Sequence, residues 1–430
     1  MTTLAAEVAE VKGSPSQAAP SPKPPTRPLA LVGFAEALAA PEAAWSLVDA
    51  GFEVIAFARK GRPAALRHSR CVVCHEVCAP ESDLQASLRD LHSLLGSLGA
   101  QAGPAPRVLL PLDDMAVWMA SRLEVEEAGW HLAGPQGSCA ELALNKYLQA
   151  EAARAAGLNV PPTALLRSPQ ELEQFSAGAA FPLILKPAEC VPVRAGQVSS
   201  CGKWICASRG ELERAAAAWG GRVPLLVQAF IAGNGEGIFG LAAPPGVRAW
   251  SAHRRLRMMN PQGSGSSACA SQAVAEDVKG PAERFIRQCG WQGLFMIELL
   301  RDASGKPWFV ELNGRTWGSL ALARRQGLEY PAWHARLALD AQSPAGLDAS
   351  PAPGVVCRNL GRELMHLLFV LRGPKSKALS GWPPLGKTLA QVAWLHRGDT
   401  FYNWRRSDPR VFFADTGYTL QANLLKRFRF

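Results

Sequence analysis

Two glutamates and an asparagine set the chemistry open to this chain. In the stretch Leu294 to Arg315, LFMIELLRDASGKPWFVELNGR, two apolar runs flank Asp302-Ala303-Ser304-Gly305-Lys306, and a Ser-Gly step inside a polar cluster is a turn signal. The pattern predicts two antiparallel strands. With the turn centred between Ser304 and Gly305, Glu298 faces Glu311. Cross-strand Cβ atoms lie roughly 4.5–5.5 Å apart, where like charges repel. Alternation puts Asn313 on the face of Glu311 and turns Ile297, Leu299, Val310 and Leu312 the other way, into a core. Two carboxylates and an amide oxygen crowded together suit a hard cation. Mg2+, held by one or two carboxylates plus substrate phosphates, relieves the repulsion, and Mn2+ is the alternative ion. A solvated hairpin face with incidental acids has the same spelling, and a one-residue slip of register would part the pair.

Cationic residues recur at places that fit an anionic partner. In FPLILKPAE the apolar run is interrupted by Lys186 before Pro187, and a lysine in a buried strand end implies an anion such as phosphate. Lys146 sits on a helix, where a lysine is ordinarily solvated. The stretch PLLVQAFIAGNGEGIFGLAA reads as a strand, a Gly-rich bend and a second strand. Its Ala229-Phe230-Ile231 edge could offer backbone groups to a flat base and Glu236 could accept from ribose hydroxyls; a plain hairpin turn is the other reading. Then SAHRRLRMMNPQGSGSSA gathers His253, Arg254, Arg255 and Arg257 beside a Gly/Ser loop. Guanidinium forks hold phosphate or carboxylate, and a flexible loop next to a basic strand is how closing lids are built.

Cys71-Val72-Val73-Cys74-His75 has the spelling of a c-type haem attachment site, which requires export, and no basic n-region with an apolar h-region begins the chain. RCVVCHEV reads better as a strand. Cys71, Cys74, Cys78 and His75 would need a further ligand pair to close a zinc site. Ten scattered cysteines without a framework are expected to be reduced thiols, and the cytoplasm is the expected location.

The elements that must hold these residues follow from composition. A chain of 430 residues, 48% hydrophobic and 19% charged, has room for two or three domains and a large core. No stretch reaches the roughly 20 apolar residues of a membrane helix. Residues 1–28 are rich in Pro, Ala, Ser and Lys and read as a disordered tail. From Leu29, LALVGF, FEVIAFAR and RVLLPL alternate with helical stretches, which predicts a small parallel α/β domain to about Ala133. Gly33 ends its first strand, but GxGxxG is absent and a structural turn is the better reading. The net charge of +10 is concentrated at the C-terminal end, where residues 341–430 hold four Lys and nine Arg against five acids. Trp382, Trp394 and Trp404 interleave with Arg405, Arg406 and Arg410 there, before the final LLKRFRF. Packing against the preceding domain is the stronger reading; lining an acidic substrate site or contact with a membrane surface are the weaker ones.

Taken in order, NK at 145–146, LILKP at 183–187, VQAFIAG at 227–233, HRRLR at 253–257, Glu298 and ELNGRTWGSL from 311 resemble the ATP-grasp superfamily. The nearest resemblance is to the carbamoyl-phosphate-synthase-like carboxylate–amine ligases of bacteria, which carry text like HRRLRE, a Gly-Gly-x-Ser loop and EINPRFWGSL. It spans about residues 29–415. Three departures stand out: Ala229 where many relatives have an acid, Gly314 for the usual Pro, and Ser264 inside the common Gly pair.

The resemblance implies an α/β and α+β architecture. A Rossmann-like pre-ATP-grasp domain (29–133) would be followed by an ATP-grasp domain (134–340) holding nucleotide between two α+β lobes, then a basic C-terminal extension (341–430). Lys146 and Lys186 would contact ATP phosphates. Gln228, Ala229, Phe230 and Ile231 would form the adenine hinge, with Glu236 on the ribose. Glu298, Glu311 and Asn313 would hold Mg2+, Arg315 would steady the phosphoryl group or the acyl phosphate, and Arg254, Arg255 and the 260–268 loop would close over the intermediate to exclude water. The implied activity is ATP-dependent joining of a small-molecule carboxylate to an amine, in a chain compatible with a homodimer. A small-molecule phosphotransferase or a non-catalytic ATP-binding module are the alternatives. Nucleic acid is not an expected partner, since no helix-turn-helix, zinc-finger or RNA-binding signature accompanies the charge.

Overall fold

The alternating apolar runs at the start of the chain become one all-parallel sheet. In the computed structural model, which describes residues 27–261, 263, 265–340, 347, 349–374, 381–394 and 398–425, strands β1 (Leu29–Gly33), β2 (Glu53–Arg59), β3 (Val73–Val77), β4 (Arg107–Pro111) and β5 (His131–Leu132) lie in the order β3-β2-β1-β4-β5. The tail expected before Arg27, Ser264 of the loop and the end from Lys426 lie outside the described residues. Helix α1 (Ala40–Asp49) covers one face of the sheet, while α2 (Leu84–Ala102) and α3 (Asp114–Ala120) cover the other. A sheet buried on both faces needs near-continuous apolar strands, which is how these are spelled. Gly33 is structural, because a Cβ there would run into the ring of Phe57.

Beyond α4 (Gly137–Leu144) and α5 (Lys146–Ala155) comes a four-stranded antiparallel sheet ordered β10-β7-β11-β6, from β6 (Thr163–Leu166), β7 (Leu183–Pro187), β10 (Trp204–Cys206) and β11 (Leu225–Ala229). Between β7 and β10 the short pair β8 (Val193–Arg194) and β9 (Gln197–Val198) stands apart. Helices α6 (Pro169–Ser176) and α7 (Arg209–Trp219) bury one face of this sheet around Leu185, Leu225 and Trp219. Its other face is left to the cleft.

The third sheet has seven strands: β12 (Asn234–Ala243), β13 (Gly246–Met258), β14 (Ser266–Gln272), β15 (Gly293–Arg301), β16 (Pro307–Asn313), β17 (Val356–Arg358) and β18 (Asp399–Phe401), ordered β16-β15-β12-β13-β14-β17-β18. Helix α8 (Glu276–Gln288) and α5 pack beneath it on Ile238, Ile297, Phe309 and Leu312. Helices α9 (Leu320–Arg325) and α10 (Tyr330–Leu339) join it to the parallel sheet through a core that runs from Val32 and Leu110 to Leu294, Trp317 and Tyr330. Over its described residues the basic C-terminal stretch is woven into this sheet by β17 and β18. Its helices α11 (Leu360–Arg372), α12 (Leu385–Ala393) and α13 (Pro409–Leu425) pack around them. No described helix is long and apolar enough to cross a membrane.

Candidate functional site

The two glutamates do face each other. Glu298 pairs with Glu311, Ile297 with Leu312 and Met296 with Asn313. The turn, however, is one residue out of the predicted register, since Leu299 pairs with Phe309 and Leu300 with Trp308. A bulge in β16 absorbs the difference, leaving an extra residue on one strand. It moves Val310 out of the core, where it lines the cleft, and Phe309 takes the predicted core position beside Leu299. Asp302 shapes the turn: its carboxylate accepts from Ser304 N, Ser304 Oγ, Lys306 N and Trp308 Nε1 at 2.6–3.0 Å.

Alternation then turns Met296, Glu298 and Leu300 of β15, with Glu311 and Asn313 of β16, toward a cleft of about 1110 Å³ between the second and third sheets. The opposite wall carries Ile184 and Lys186 of β7 and Gln228 of β11, whose neighbours Leu185 and Val227 point into the core. Strand β11 and β12 belong to different sheets, so Phe230 to Gly233 is no hairpin but the strap between the two walls, and it lines the cleft. Ala229 N donates to Pro162 O and Phe230 N to Pro182 O, at 3.1 and 3.0 Å. Those two donors are therefore spent within the protein.

Electrostatics in the cleft are tightly linked. Lys186 is 7% exposed, and burial, reinforced by Lys146 and Lys203 against Glu311, pulls its ammonium down to about 8. Burial alone would raise Glu311, but Lys146, Lys186, Arg315 and Lys203 hold its carboxyl below the usual range. Lys146 does not line the cleft; from the first turn of α5 it reaches Glu311 at 3.5 Å and donates to Cys190 Sγ at 2.9 Å. Burial opposes its charge, yet Glu311, Cys190 and Asp114 together outweigh that and raise its ammonium. Burial keeps the Cys190 thiol protonated, up at about 11. Arg255 reaches Glu298 at 2.7 Å. His253, buried beside Arg255, hydrogen-bonds Ser319 Oγ through Nδ1 at 2.8 Å, and burial drives it down to about 3, so it is neutral at pH 7.

Two predicted residues are elsewhere. Glu236 and Arg254 face each other across β12 and β13 on the reverse of the sheet, because Gly237, His253 and Arg255 take the cleft side. Glu236 accepts from Arg301 Nε at 3.0 Å, and Arg301 also pairs with Asp277 at 2.8 Å. Arg254 is exposed. Arg257 is likewise withdrawn, bound to Glu363 at 2.6 Å. Cys71 lies against Ser69 Oγ and Asp408, at 3.4 and 3.7 Å.

Other residues of the site escaped the sequence reading. Lys203 is a second lysine on the cleft wall. Asp114 of α3 accepts from Arg315 Nε at 3.0 Å and aims it across 201 residues of chain. Gln149 of α5 donates to Leu312 O and accepts from Leu312 N at 3.0 and 2.9 Å, pinning β16 between Glu311 and Asn313. Arg362 reaches the cleft from α11.

Among the described residues no group of three or more His, Cys, Asp or Glu could hold a metal ion. The paired glutamates with Asn313 are instead an incomplete, all-oxygen set, the kind that suits a Mg2+ ion retaining water and phosphate ligands.

A scan of protein-family models matches none, and a search of curated proteins finds no match. Solved structures do match. An L-amino acid ligase from Bacillus licheniformis superposes with a TM-score of 0.58 at 18% identity, over 78% of this chain and 79% of that one. The biotin carboxylase domain of the Hydrogenobacter thermophilus 2-oxoglutarate carboxylase, in complex with MgADP, ADP and bicarbonate, gives 0.57 at 16%, over 76% and 73%. N5-carboxyaminoimidazole synthetase from Staphylococcus aureus gives 0.56 at 14%, over 79% and 84%. The chain has the ATP-grasp fold that these structures share.

Proposed function

We propose that this protein is an ATP-dependent ligase that activates a carboxylic acid as an acyl phosphate and joins it to an amine. The observation that carries the reading is the Glu298–Glu311 pair, set with Asn313 opposite Lys186 in a cleft strapped by Phe230 to Gly233. The fold neighbour that binds MgADP and bicarbonate supports the same assignment.

In this reading the nucleotide base lies along Gln228 to Ile231, Lys186 and Lys203 face the phosphates, and Lys146 supports Glu311 from behind the cleft wall. Glu298, Glu311 and Asn313 would hold Mg2+, which supplies charge neutralisation at the phosphates when bound. A carboxylate is a poor electrophile at pH 7 because its leaving group would be oxide. Its oxygen attacks the γ-phosphorus, the bond to ADP breaks, and the acyl phosphate that results has phosphate as its leaving group. An amine then attacks the acyl carbon, loses a proton, and expels phosphate. Arg315, held by Asp114, stabilises the transferring group; the rest of the protein's share is positioning and exclusion of water. Residues 29–133, 134–340 and 341–430 correspond in this proposal to the pre-ATP-grasp domain, the ATP-grasp domain and the extension, in a cytoplasmic enzyme.

Phosphate release from MgATP, assayed over a panel of carboxylates and amines, should require both co-substrates, and hydroxylamine should trap the activated acid as a hydroxamate. A phosphorylated product formed without any amine would make the protein a phosphotransferase; binding without turnover would make it a nucleotide-binding module.

A further inference from the structure

One wall of the cleft belongs to the C-terminal helix α11, whose first turn presents Arg362. Asn359 caps that helix, accepting from Arg362 N at 2.9 Å. The guanidinium lies against Gly265, where a Cβ would come within 2.6 Å of Nη1, and Nη1 donates to Ser266 O at 3.2 Å. Among the described residues no carboxylate reaches it at ion-pair distance. Burial lowers its basicity and Arg255 adds to that, while Tyr402, Asp415 and Cys269 oppose it. Asp415 is itself engaged by Asn359 Nδ2 at 3.0 Å. The other basic groups of this corner are satisfied, since Arg257 and Arg358 share Glu363 at 2.6 and 3.0 Å.

The same end of the cleft holds further unpartnered nitrogens. His253 is 1% exposed, and its Nε2 has no partner; neither has Nε of Arg255. A half-buried guanidinium without a counter-ion is costly and ordinarily finds one. Arg255 has Glu298 here, but the ligase reading gives Glu298 to the metal. Two guanidiniums would then share one end of the cleft, and a single reacting carboxylate answers only one of them.

We propose that Arg362 and Arg255 form an anion subsite for a second carboxylate on the acid substrate, which makes that acid a dicarboxylic acid. The inference rests on the ligase reading of the cleft. Guanidinium forks bind carboxylates bidentately, so the subsite selects by geometry as well as charge.

Calorimetry tests it by titrating glutarate and pentanoate, acids of equal chain length, into the full chain at fixed ionic strength with saturating MgADP. Glutarate should bind about tenfold more tightly than pentanoate, or better. Arg362→Met should erase the preference. Arg362→Lys should keep part of it, because an ammonium retains the charge but not the fork. MgADP affinity within about twofold of wild type in both variants would show that the nucleotide end is folded. Equal affinities for the two acids in the MgADP-loaded wild type, or a preference that survives Arg362→Met, would overturn the subsite and leave the ligase reading standing. Failure of the wild type to take up MgADP would overturn that reading, and the subsite with it.

Discussion

Where β13, β17 and α11 meet, Glu363 accepts from Arg257 and Arg358, Ser267 Oγ donates to it at 2.7 Å, and Asp399 takes the other side of Arg358 at 3.2 Å. Two arginines balance two carboxylates. The cleft is built from the same residue types on adjoining strands, but six basic side chains (Lys186, Lys203, Arg214, Arg255, Arg315 and Arg362) line it against Glu211, Glu298 and Glu311. The first cluster is saturated; in the cleft a cationic surplus remains even when Asp114, the partner of Arg315, is counted, and that surplus suits the anions of the proposed function. Burial and residue type are shared between the two regions, so neither identifies a site. Charge balance does.

The contrast breaks most visibly at Glu363. Replacing it with alanine strips Arg257 of its carboxylate and leaves Arg358 with Asp399 alone, and should lower unfolding free energy by about 3–5 kcal/mol in urea titrations; a loss under about 1 kcal/mol would mean the junction is not held by its charges. In the cleft, Glu311→Gln should instead cost roughly 10²–10³-fold in ATP turnover, with a smaller shift of the unfolding midpoint than Glu363→Ala produces. Near-wild-type turnover in that variant would remove the metal assignment.

Lys186 sharpens the difference through pH. Its ammonium, at about 8 in the folded chain, lies below the roughly 10.4 of an unfolded lysine. The native state therefore binds fewer protons between those values, and this group's contribution to stability rises with pH across that window. A phosphate bound beside Lys186 favours its charged form. At pH 8, MgATP binding should be coupled to uptake of about half a proton, seen as a buffer-dependent binding enthalpy that disappears in Lys186→Met. Buffer-independent heats in the wild type would place the phosphates away from Lys186. The smallest effect is expected at Arg254, on the reverse face: Arg254→Ala should leave turnover within about twofold. A large loss there would mean that the exposed face takes part.

Much of this was legible in the chain. The turn cluster between two apolar runs was enough to oppose Glu298 and Glu311, even though Asp302 organises a turn out of step with the predicted one and the bulge at Val310 brings the register back. Lys186 was recognisable as a charge in a strand whose neighbours are apolar. The alternation of strands and helices anticipated the parallel sheet. Arg254 and Glu236 were misjudged because HRRLR and GNGEG offer no apolar alternation to say which face is inward. His253 stands between Ala252 and Arg254, and packing against Gly237 and Ser319 turns it to the cleft.

What the sequence by itself determined is the local part: which segments are strands, which are helices, and which two acids share a ladder, since these follow from period, turn chemistry and neighbours a few residues away. Tertiary structure alone decided the rest. Asp114 aims Arg315 from the parallel sheet, Gln149 grips β16 from a helix, Glu363 withdraws Arg257 from the cleft, and Arg362 enters it from the C-terminal stretch. Each of these joins residues far apart in the chain, and the charge left uncompensated in the cleft is a sum over all of them that no single stretch contains.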